Sequence, residues 1–381
     1  MFAKILPGKI VSRLGWIIGL CLFLAGPQTL LAQPDEKFDY LNKNPLPVSE
    51  SEVNAQKFFT DPEVLRFTLS INYLELLKDR GDEREYHKAV VTYKDENGAI
   101  VAVDAKVMVR GNHRRNPAIC RFPPLTLNFS RKTTANTWFQ EVNKLKLVTH
   151  CLGDDYLLRE YLIYKLYNFL TDYSFRVRLC QIDYIDVESK RKTESKYAFL
   201  IEDDKQMAQR NKATLIPRNL FITMDKTNPQ VMARLALFQY LIGNTDWSVP
   251  YRHNIKLLDV GETSAPIPVP YDFDYCGLVG APYAVPPPEL GITSVRQRLY
   301  RGYHFPEEVY AGAISSLNSQ RDNLYNIYQQ SPLLDKSYRK QTLNYFDSFY
   351  KTINTPKNFQ NSIVRVGQQN LKKYVVIKGL K

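Results

Sequence analysis

The step Asn97-Gly98, which lies between two runs of alternating apolar and polar residues, constrains the fold of this chain most strongly. Asn-Gly supplies the positive φ angles of a tight hairpin turn, so residues 89–93 and 99–109 are predicted to pair as antiparallel strands. Further strand-like runs cover residues 65–71, 123–129, 144–149, 176–187 and 197–202. We therefore predict an antiparallel sheet of about five or six strands.

One helix is predicted within this β-rich region. It follows Asp154 and Asp155, either of which can cap a helix, and its apolar residues recur at intervals of three and four. These residues are Leu157, Leu158, Tyr161, Leu162, Leu166 and Phe169. The spacing places them on one face, which we expect to pack against the sheet.

Helical patterns dominate the chain after Met207. Residues 229–241 carry an apolar stripe, and residues 306–371 are helix-like with interruptions at prolines. The chain therefore predicts an α+β fold, in which a β-rich lobe spans residues 61–205 and a mainly helical lobe spans residues 206–381. We expect a cleft between these two lobes.

Residues 1–32 have the pattern of an export signal. Three basic residues precede an apolar run that is too short to span a bilayer comfortably, and Ala32 offers a small residue for cleavage. We expect an exported protein, in the periplasm, on the outer surface or outside the cell, with no transmembrane span after cleavage. Residues 33–60 are polar and carry prolines, which indicates a linker or arm.

The chain is basic, with 51 Lys and Arg against 39 Asp and Glu. Removing the signal takes three basic residues, so the net charge falls from +12 to 48 − 39 = +9. A basic surface favours acidic partners such as nucleotides, phosphorylated glycans or anionic membranes. We expect no nucleic-acid partner.

Four cysteines follow the signal, and an even number permits disulfides in an oxidising compartment. They are Cys120, Cys151, Cys180 and Cys276, without a CxxC or Cys/His zinc pattern. Because residues 123–129 and 144–149 are predicted to pair as antiparallel strands, Cys120 and Cys151 would meet at one end of that pair. We predict that they form a disulfide.

Three polar residues stand at the ends of short apolar runs in the second half. Asp246 comes first, Asn254 precedes the strand-like residues 255–258, and Asp272 follows the strand-like residues 267–269. Phosphoryl-transfer enzymes present a base and two metal ligands on adjacent loops in this order. The pattern therefore predicts a kinase-like site.

A series of short motifs extends this pattern along the chain. They are Arg110-Gly111, Leu145-Lys146-Leu147, Leu158-Arg159-Glu160, Phe199-Leu200-Ile201-Glu202, Asn244-Thr245-Asp246 with Asn254, and Pro270-Tyr271-Asp272-Phe273-Asp274. Their order resembles that of secreted spore-coat CotH-type kinases, an atypical branch of the protein-kinase-like fold. The resemblance covers about residues 60–330, and it implies an antiparallel β-rich N-lobe and a mainly helical C-lobe.

The resemblance also implies roles for these residues. Asp246 would be the catalytic aspartate, which accepts the proton of an incoming hydroxyl. Asn254 and Asp272, with Asp274 as a further candidate, would hold Mg²⁺ or Mn²⁺ against the phosphates of ATP.

The nucleotide-binding residues implied by the resemblance lie mostly in the first lobe. Glu160 would pair with a phosphate-contacting basic residue, either Lys146 or Arg121, and Arg110 would lie on a neighbouring strand end. Glu202 would lie at the lobe junction, near the nucleotide base.

The chain departs from ordinary protein kinases in two ways. Asn254 follows Asp246 by eight residues instead of the D-x-x-x-x-N spacing, so the intervening loop must bulge. No glycine-rich GxGxxG loop is present, so basic side chains within residues 110–121 would have to contact the phosphates.

Each site residue also has a purely structural interpretation, since Asp and Asn are common in turns and at strand ends. Three classes of function therefore stay open. The chain is an exported kinase that phosphorylates hydroxyls of secreted proteins or glycans, a catalytically inactive relative that binds a ligand in the same cleft, or an envelope structural protein.

Overall fold

The computed structural model describes residues 57–140, 142–261 and 264–372, all of which belong to one compact unit, Ser49–Lys381. The export signal predicted for residues 1–32 and most of the predicted linker lie outside these residues. Within the described ranges, no helix combines the length and the apolar character needed to cross a bilayer.

Strands from the first half of the chain form a closed barrel. They are β1 (Leu65–Ile71), β2 (His87–Lys94), β3 (Ile100–Val109), β4 (Leu125–Phe129), β5 (Lys144–Val148), β6 (Val177–Asp186) and β7 (Glu194–Ile201). The order around the barrel is β1-β2-β3-β4-β5-β7-β6, and β6 closes onto β1. Every neighbouring pair is antiparallel except β1 and β6, which run parallel.

The predicted antiparallel sheet of about five or six strands was therefore wrong in strand number and in one strand direction, and the sheet closes into a barrel. The physical reason is that β1 and β6 would each be an edge with unpaired backbone groups, and closing the barrel pairs them. The mixed α+β class is confirmed, but its main sheet is a seven-stranded barrel.

The predicted hairpin is confirmed. β2 pairs with β3 from His87 opposite Val107 to Lys94 opposite Ile100. Gly98 has φ 79°, in the left-handed region that favours glycine, and its N–H donates to the Asp95 carbonyl oxygen at 3.0 Å. The local turn chemistry therefore fixed this pairing.

Helices in the first half are α1 (Tyr73–Lys78) and α2 (Asp154–Leu170), and α3 (Asp204–Arg210) follows β7. The capping prediction for α2 was wrong: the N-cap is Gly153, with φ 137° and no side-chain cap. Asp154 is instead the first helical residue, where its carboxylate can interact with the helix N-terminus.

The α2 helix connects the barrel to the rest of the protein. Alternate residues of β6 and β7 point to opposite sides, so Cys180 and Leu200 belong to the cluster inside the barrel. Leu179 and Phe199 face outward and join a second cluster, which contains α2 and the C-terminal helices. Residues on α2 therefore lie between the barrel and the second half.

The second half contains a small sheet and a helical region. The sheet has the order β10-β9-β8 and comprises β8 (Thr214–Leu215), β9 (Ile255–Asp259) and β10 (Ile267–Pro270). The helices are α4 (Pro229–Ile242), α5 (Glu307–Ser319), α6 (Arg321–Gln329), α7 (Lys336–Asn354), α8 (Pro356–Phe359) and α9 (Arg365–Lys372).

Cys120 and Cys151 form a disulfide, with their Cα atoms 4.8 Å apart. β4 and β5 pair antiparallel with Leu125 opposite Leu147, as the prediction required. The disulfide thus joins the chain before β4 to the chain after β5. Cys180 and Cys276 are free and buried, and burial raises the pKa of the Cys276 thiol to about 12.

Candidate functional site

The loop that carries Asp246 begins at the end of α4. Gly243 ends that helix with φ 68°, and a Cβ at this position would collide with the Tyr345 hydroxyl oxygen. The next residue, Asn244, donates from Nδ2 to Gln239 Oε1 at 2.9 Å and accepts the Asp246 N–H at its Oδ1 at 3.0 Å. Asn244 therefore sets the direction in which the backbone leaves the helix.

Both carboxylate oxygens of Asp246 have partners within its own loop. His253 Nε2 lies 2.8 Å from Asp246 Oδ1. Asn254 Nδ2 donates to Asp246 Oδ2 at 3.0 Å and to the Asp246 backbone oxygen at 2.9 Å. Asp246 remains partly exposed, with 27% of its side chain accessible, so the carboxylate is fixed in orientation and still open to a substrate.

The predicted bulge between Asp246 and Asn254 is confirmed. Ser248 and His253 exchange backbone hydrogen bonds of 2.9 and 3.0 Å, so the four residues between them form a closed turn. Arg252 and Asn254 both have φ 52°, in the left-handed region. The additional residues therefore loop out, and Asn254 can still reach Asp246.

The β9–β10 pair places Asn254 and Asp272 at the same edge of the small sheet. Ile255 lies opposite Pro270, and the Tyr271 N–H donates to the Asn254 carbonyl oxygen at 3.0 Å. Asp272 follows with φ 61°, and its backbone N–H donates to the Tyr164 hydroxyl on α2 at 2.8 Å. The structure thus joins Asp246 to Asn254 directly and Asn254 to the residue before Asp272, and it places Asp272 beside α2.

The side chain of Arg114 connects this edge to the first half of the chain. Its guanidinium donates to Glu160 Oε2 on α2 and to Asp272 Oδ1, each at 2.9 Å, and lies 3.3 Å from Asp274 Oδ2. Burial alone would lower the pKa of Arg114, but the three carboxylates outweigh it and raise that pKa well above its usual value. One buried cation therefore holds three acidic residues.

The predicted partners of Glu160 were wrong, because neither Lys146 nor Arg121 pairs with it. Arg114 is its partner, Lys146 forms an ion pair with Asp204, and the side chain of Arg121 is exposed. Arg114 lies in the irregular connection between β3 and β4, where no periodicity shows which side chain points inward. The several basic residues within residues 110–121 indicated that this segment supplies a cation, but not which residue does so.

Asp274 is engaged by protein groups. Its Oδ2 accepts a hydrogen bond from the Tyr283 hydroxyl at 2.9 Å and lies beside Arg114. Burial raises its pKa well above the usual value, although Arg114 opposes this effect. The pKa of Glu160 is also raised by burial. Asp274 is therefore paired within the protein, and its role as a metal ligand stays a prediction.

Metal coordination was predicted for Asn254 and Asp272 as well as for Asp274. Within the part of the chain that the structure describes, no group of three or more His, Cys, Asp or Glu side chains is placed to hold a metal ion. Asn254 and Asp272 nevertheless supply the hard oxygen donors that Mg²⁺ and Mn²⁺ prefer, and Asp272 is 39% exposed.

A small pocket lies between α2, the barrel and β10. Four of the sequence-predicted residues line it together: Arg110, Lys146, Glu160 and Asp272. Phe175 and Tyr271 also contribute to the lining, and the Lys146 ammonium lies 5.2 and 5.8 Å from the centres of their rings. The pocket therefore combines basic side chains, acidic side chains and aromatic rings.

Lys146 shares the carboxylate of Asp204 with a second lysine. Lys256 Nζ lies 2.7 Å from Asp204 Oδ2, and Lys146 is paired with the other oxygen. Burial lowers the pKa of Lys146, and the positive charges of Arg110 and Lys256 act in the same direction. Sequence reasoning missed Asp204 and Lys256, since each lies on a separate element and neither belongs to a motif.

Glu202 lies outside this set of pocket-lining residues. Its carboxylate accepts two hydrogen bonds from Arg210, at 3.0 and 2.9 Å, and one from the Arg176 backbone N–H at 3.1 Å. The neighbouring residue Ile201 lines the pocket instead. Glu202 follows β7, and its carboxylate pairs with Arg210, so its predicted place near the nucleotide base stays a prediction.

Comparisons with known proteins give limited information. No family model matches the sequence, and no curated protein matches it significantly. Among solved structures, the chain is similar to the crystal structure of the Helicobacter pylori proinflammatory kinase CtkA. The TM-score is 0.35 and the sequence identity 10%, over 82% of this chain and 99% of that chain. At this level of similarity, function has to be inferred from the site itself.

Proposed function

We propose that this chain is an exported, CotH-like phosphotransferase that transfers the γ-phosphate of ATP to hydroxyls of secreted or envelope proteins or glycans. The observation that carries the proposal is the single pocket lined by Arg110, Lys146, Glu160 and Asp272. These residues come from distant parts of the sequence, and the resemblance to CotH-type kinases implies nucleotide or metal binding for each of them.

The nucleotide would contact the residues that line this pocket, whose volume of about 10 Å³ has to enlarge before a triphosphate can enter. Arg110, Arg114 and Lys146 present cationic groups to the triphosphate, and Glu160 orients the Arg114 guanidinium through its 2.9 Å hydrogen bond. Tyr271 and Phe175 offer ring surfaces for a flat base. Arg114 thus takes the phosphate-contacting role that had been expected of Lys146 or Arg121.

Asp246 would act on the acceptor. Its carboxylate accepts the proton of the attacking hydroxyl, and the contacts from His253 and Asn254 keep it in position. Asn254 also connects this group to the nucleotide pocket, because its backbone oxygen accepts the N–H of Tyr271, next to Asp272.

Asn254 and Asp272 are the residues that would hold Mg²⁺ or Mn²⁺. When bound, such an ion supplies positive charge that offsets the charge of the phosphates. Asp274 is the less accessible candidate, because its side chain is 8% exposed whereas that of Asp272 is 39% exposed.

A catalytically inactive binding protein is the second candidate. It is favoured because the three carboxylates around Arg114 are all paired with this arginine within the protein. In that case the pocket would bind an anionic ligand without transferring a phosphate.

The test uses the chain without residues 1–32. An ATP analogue with Mn²⁺ is titrated into wild type, Asp272→Asn and the control Asp322→Asn, whose carboxylate is exposed on α6. Transfer of labelled phosphate from ATP to secreted proteins and glycans is measured in parallel. Binding and transfer by wild type and control, with both lost in Asp272→Asn, support the phosphotransferase.

The other results identify the alternatives. Binding without transfer to any acceptor supports the inactive binding protein. Absence of both binding and nucleotide-dependent thermal stabilisation rejects a nucleotide site and leaves a structural protein.

A further inference from the structure

A second cavity, with a volume of about 110 Å³, lies beside the loop that carries Asp246. Residues 247–251 form one wall, residues 299–301 with Tyr303 form another, and Asn370 and Leu371 at the end of α9 complete it. Met224, Asp225 and Leu290 also contribute to the lining. None of these residues was assigned a function from the sequence.

The cavity is directly connected to Asp246. Trp247 and Ser248, the next two residues, line it, and so does Arg301. The Arg301 guanidinium donates to the backbone oxygen of Thr245, on the other side of Asp246. Burial lowers the pKa of Arg301 to about 10, and the negative charge of Asp246 opposes that shift. A molecule in the cavity would therefore contact Trp247, Ser248 and Arg301, which adjoin the backbone on either side of Asp246.

The α9 wall is held in place by close contacts with residues 300–304. Asn370 Nδ2 donates to the backbone oxygens of Tyr300 and Gly302, at 3.1 and 2.8 Å. Gly367 lies so close to the backbone of Tyr303 that a Cβ there would be 2.9 Å from its carbonyl carbon and oxygen. The position of this wall thus depends on a glycine and one amide side chain.

Several polar groups of the lining are used within the protein. Arg301 and Asn370 donate to backbone oxygens, and Ser248 Oγ accepts the Tyr251 N–H at 3.4 Å. Asp225, Tyr251 and Tyr303 add further polar groups, but Val249, Leu290, Leu299 and Leu371 contribute apolar side chains. These apolar side chains favour a guest that buries an apolar group.

The volume sets the approximate size of the guest. A dry apolar cavity of about 150 Å³ accommodates benzene. A cavity of about 110 Å³ is large enough for one aliphatic side chain, such as that of leucine or methionine.

We propose that this cavity is an acceptor subsite, and that it binds an aliphatic side chain close to the hydroxyl-bearing residue of a polypeptide acceptor. α9 is then a specificity-determining wall, with Leu371, which is 51% exposed, at its rim. This inference rests on the proposed phosphotransferase, because it assigns Asp246 to the acceptor hydroxyl. It favours a polypeptide over a glycan.

The experiment uses peptide libraries with a central Ser or Thr and labelled ATP. Each library fixes one flanking position as Leu, Met, Gly, Glu or Lys, and methyl glycosides are assayed beside them. Wild type is expected to prefer Leu or Met at one flanking position by at least about tenfold in kcat/KM. Leu371→Glu should remove that preference and raise transfer to the Lys library, while nucleotide binding stays unchanged.

Gly367→Ala provides a second perturbation, because its Cβ would displace α9 from Tyr303. It should weaken the preference for aliphatic side chains without changing nucleotide binding. The matched control is Gly312→Ala on α5, where an added Cβ meets nothing within 4 Å. Thermal unfolding of each variant verifies that it is folded.

The results separate the subsite from the phosphotransferase. If phosphate transfer shows no preference for Leu or Met, or if Leu371→Glu keeps that preference, the subsite proposal is rejected. The phosphotransferase proposal is then unaffected. Transfer to glycosides alone also overturns the subsite proposal, as does nucleotide binding without transfer to any library. If wild type does not bind nucleotide, the subsite proposal and the phosphotransferase proposal are both rejected.

Discussion

Replacement of Arg114 by Met tests the electrostatic basis of the candidate site. The change keeps an unbranched side chain but removes the cation that Glu160, Asp272 and Asp274 share. Truncation of one partner in a buried ion pair leaves an uncompensated charge and typically costs about 3–5 kcal/mol. We therefore expect a clear loss in the free energy of unfolding.

The three carboxylates contribute unequally to this loss. Asp272 is 39% exposed, so water replaces its partner at little cost. Asp274 still accepts a hydrogen bond from the Tyr283 hydroxyl after Arg114 is removed, so it keeps one partner. The penalty falls mainly on Glu160, whose side chain is 2% exposed.

The penalty has a ceiling, because Glu160 can bind a proton instead of remaining charged. Protonating a glutamate of ordinary pKa, about 4.3, costs about 3.7 kcal/mol at pH 7 and about 1 kcal/mol at pH 5. In the folded state the pKa of Glu160 is raised, so its effect on stability is most favourable at low pH and worsens as the pH rises. The deficit of Arg114→Met should therefore be about 3–4 kcal/mol at pH 7 and much smaller at pH 5.

Urea unfolding of wild type and Arg114→Met at both pH values measures this difference. The matched control is Arg321→Met, which removes a surface pair with Asp347, where the two side chains are 51% and 59% exposed. It should change stability little at either pH. A loss for Arg114→Met that is equal at pH 7 and pH 5, or no larger than that of the control, would refute the electrostatic reasoning.

Three further predictions follow from the fold and the site. Replacing Cys120 and Cys151 by Ser should lower the free energy of unfolding by about 4 kcal/mol, because the disulfide closes a loop with a sequence separation of 31; peptide mapping without reduction verifies the bond. Asp272→Ala should abolish metal-dependent nucleotide binding and therefore transfer. Asp246→Ala should keep nucleotide binding and reduce turnover by about 10²- to 10⁴-fold. If both variants bind the nucleotide as tightly as wild type does, Asp272 is excluded from the metal site. Gly243→Ala should lower the melting temperature, because it combines a left-handed φ with a collision at a hydroxyl; an unchanged melting temperature would contradict this.

Local sequence signals predicted the elements of this protein well. The Asn97-Gly98 hairpin, the strand runs and α2 followed from turn chemistry and from periods of two and 3.6 residues, which depend only on near neighbours in the chain. The order of Asp246, Asn254 and Asp272 predicted adjacent loops correctly, because a helix end and one short antiparallel pair position all three residues.

Contacts between distant elements were decided only by the tertiary structure. Periodicity shows which face of a strand is buried but not which strand lies beside it, so the closure of β6 onto β1 left no trace in the sequence pattern. For the same reason Lys146, on β5, was assigned to Glu160 although it pairs with Asp204 at the start of α3.

The clearest case is Arg114. Its sequence neighbourhood contains several basic residues in an irregular connection, and nothing in their order distinguishes one from another. Packing of α2 against the barrel and of Asp272 against α2 creates one buried acidic position, and a buried charge requires a counter-ion. The sequence determined that a cation was available there, and the three-dimensional arrangement decided which arginine it would be.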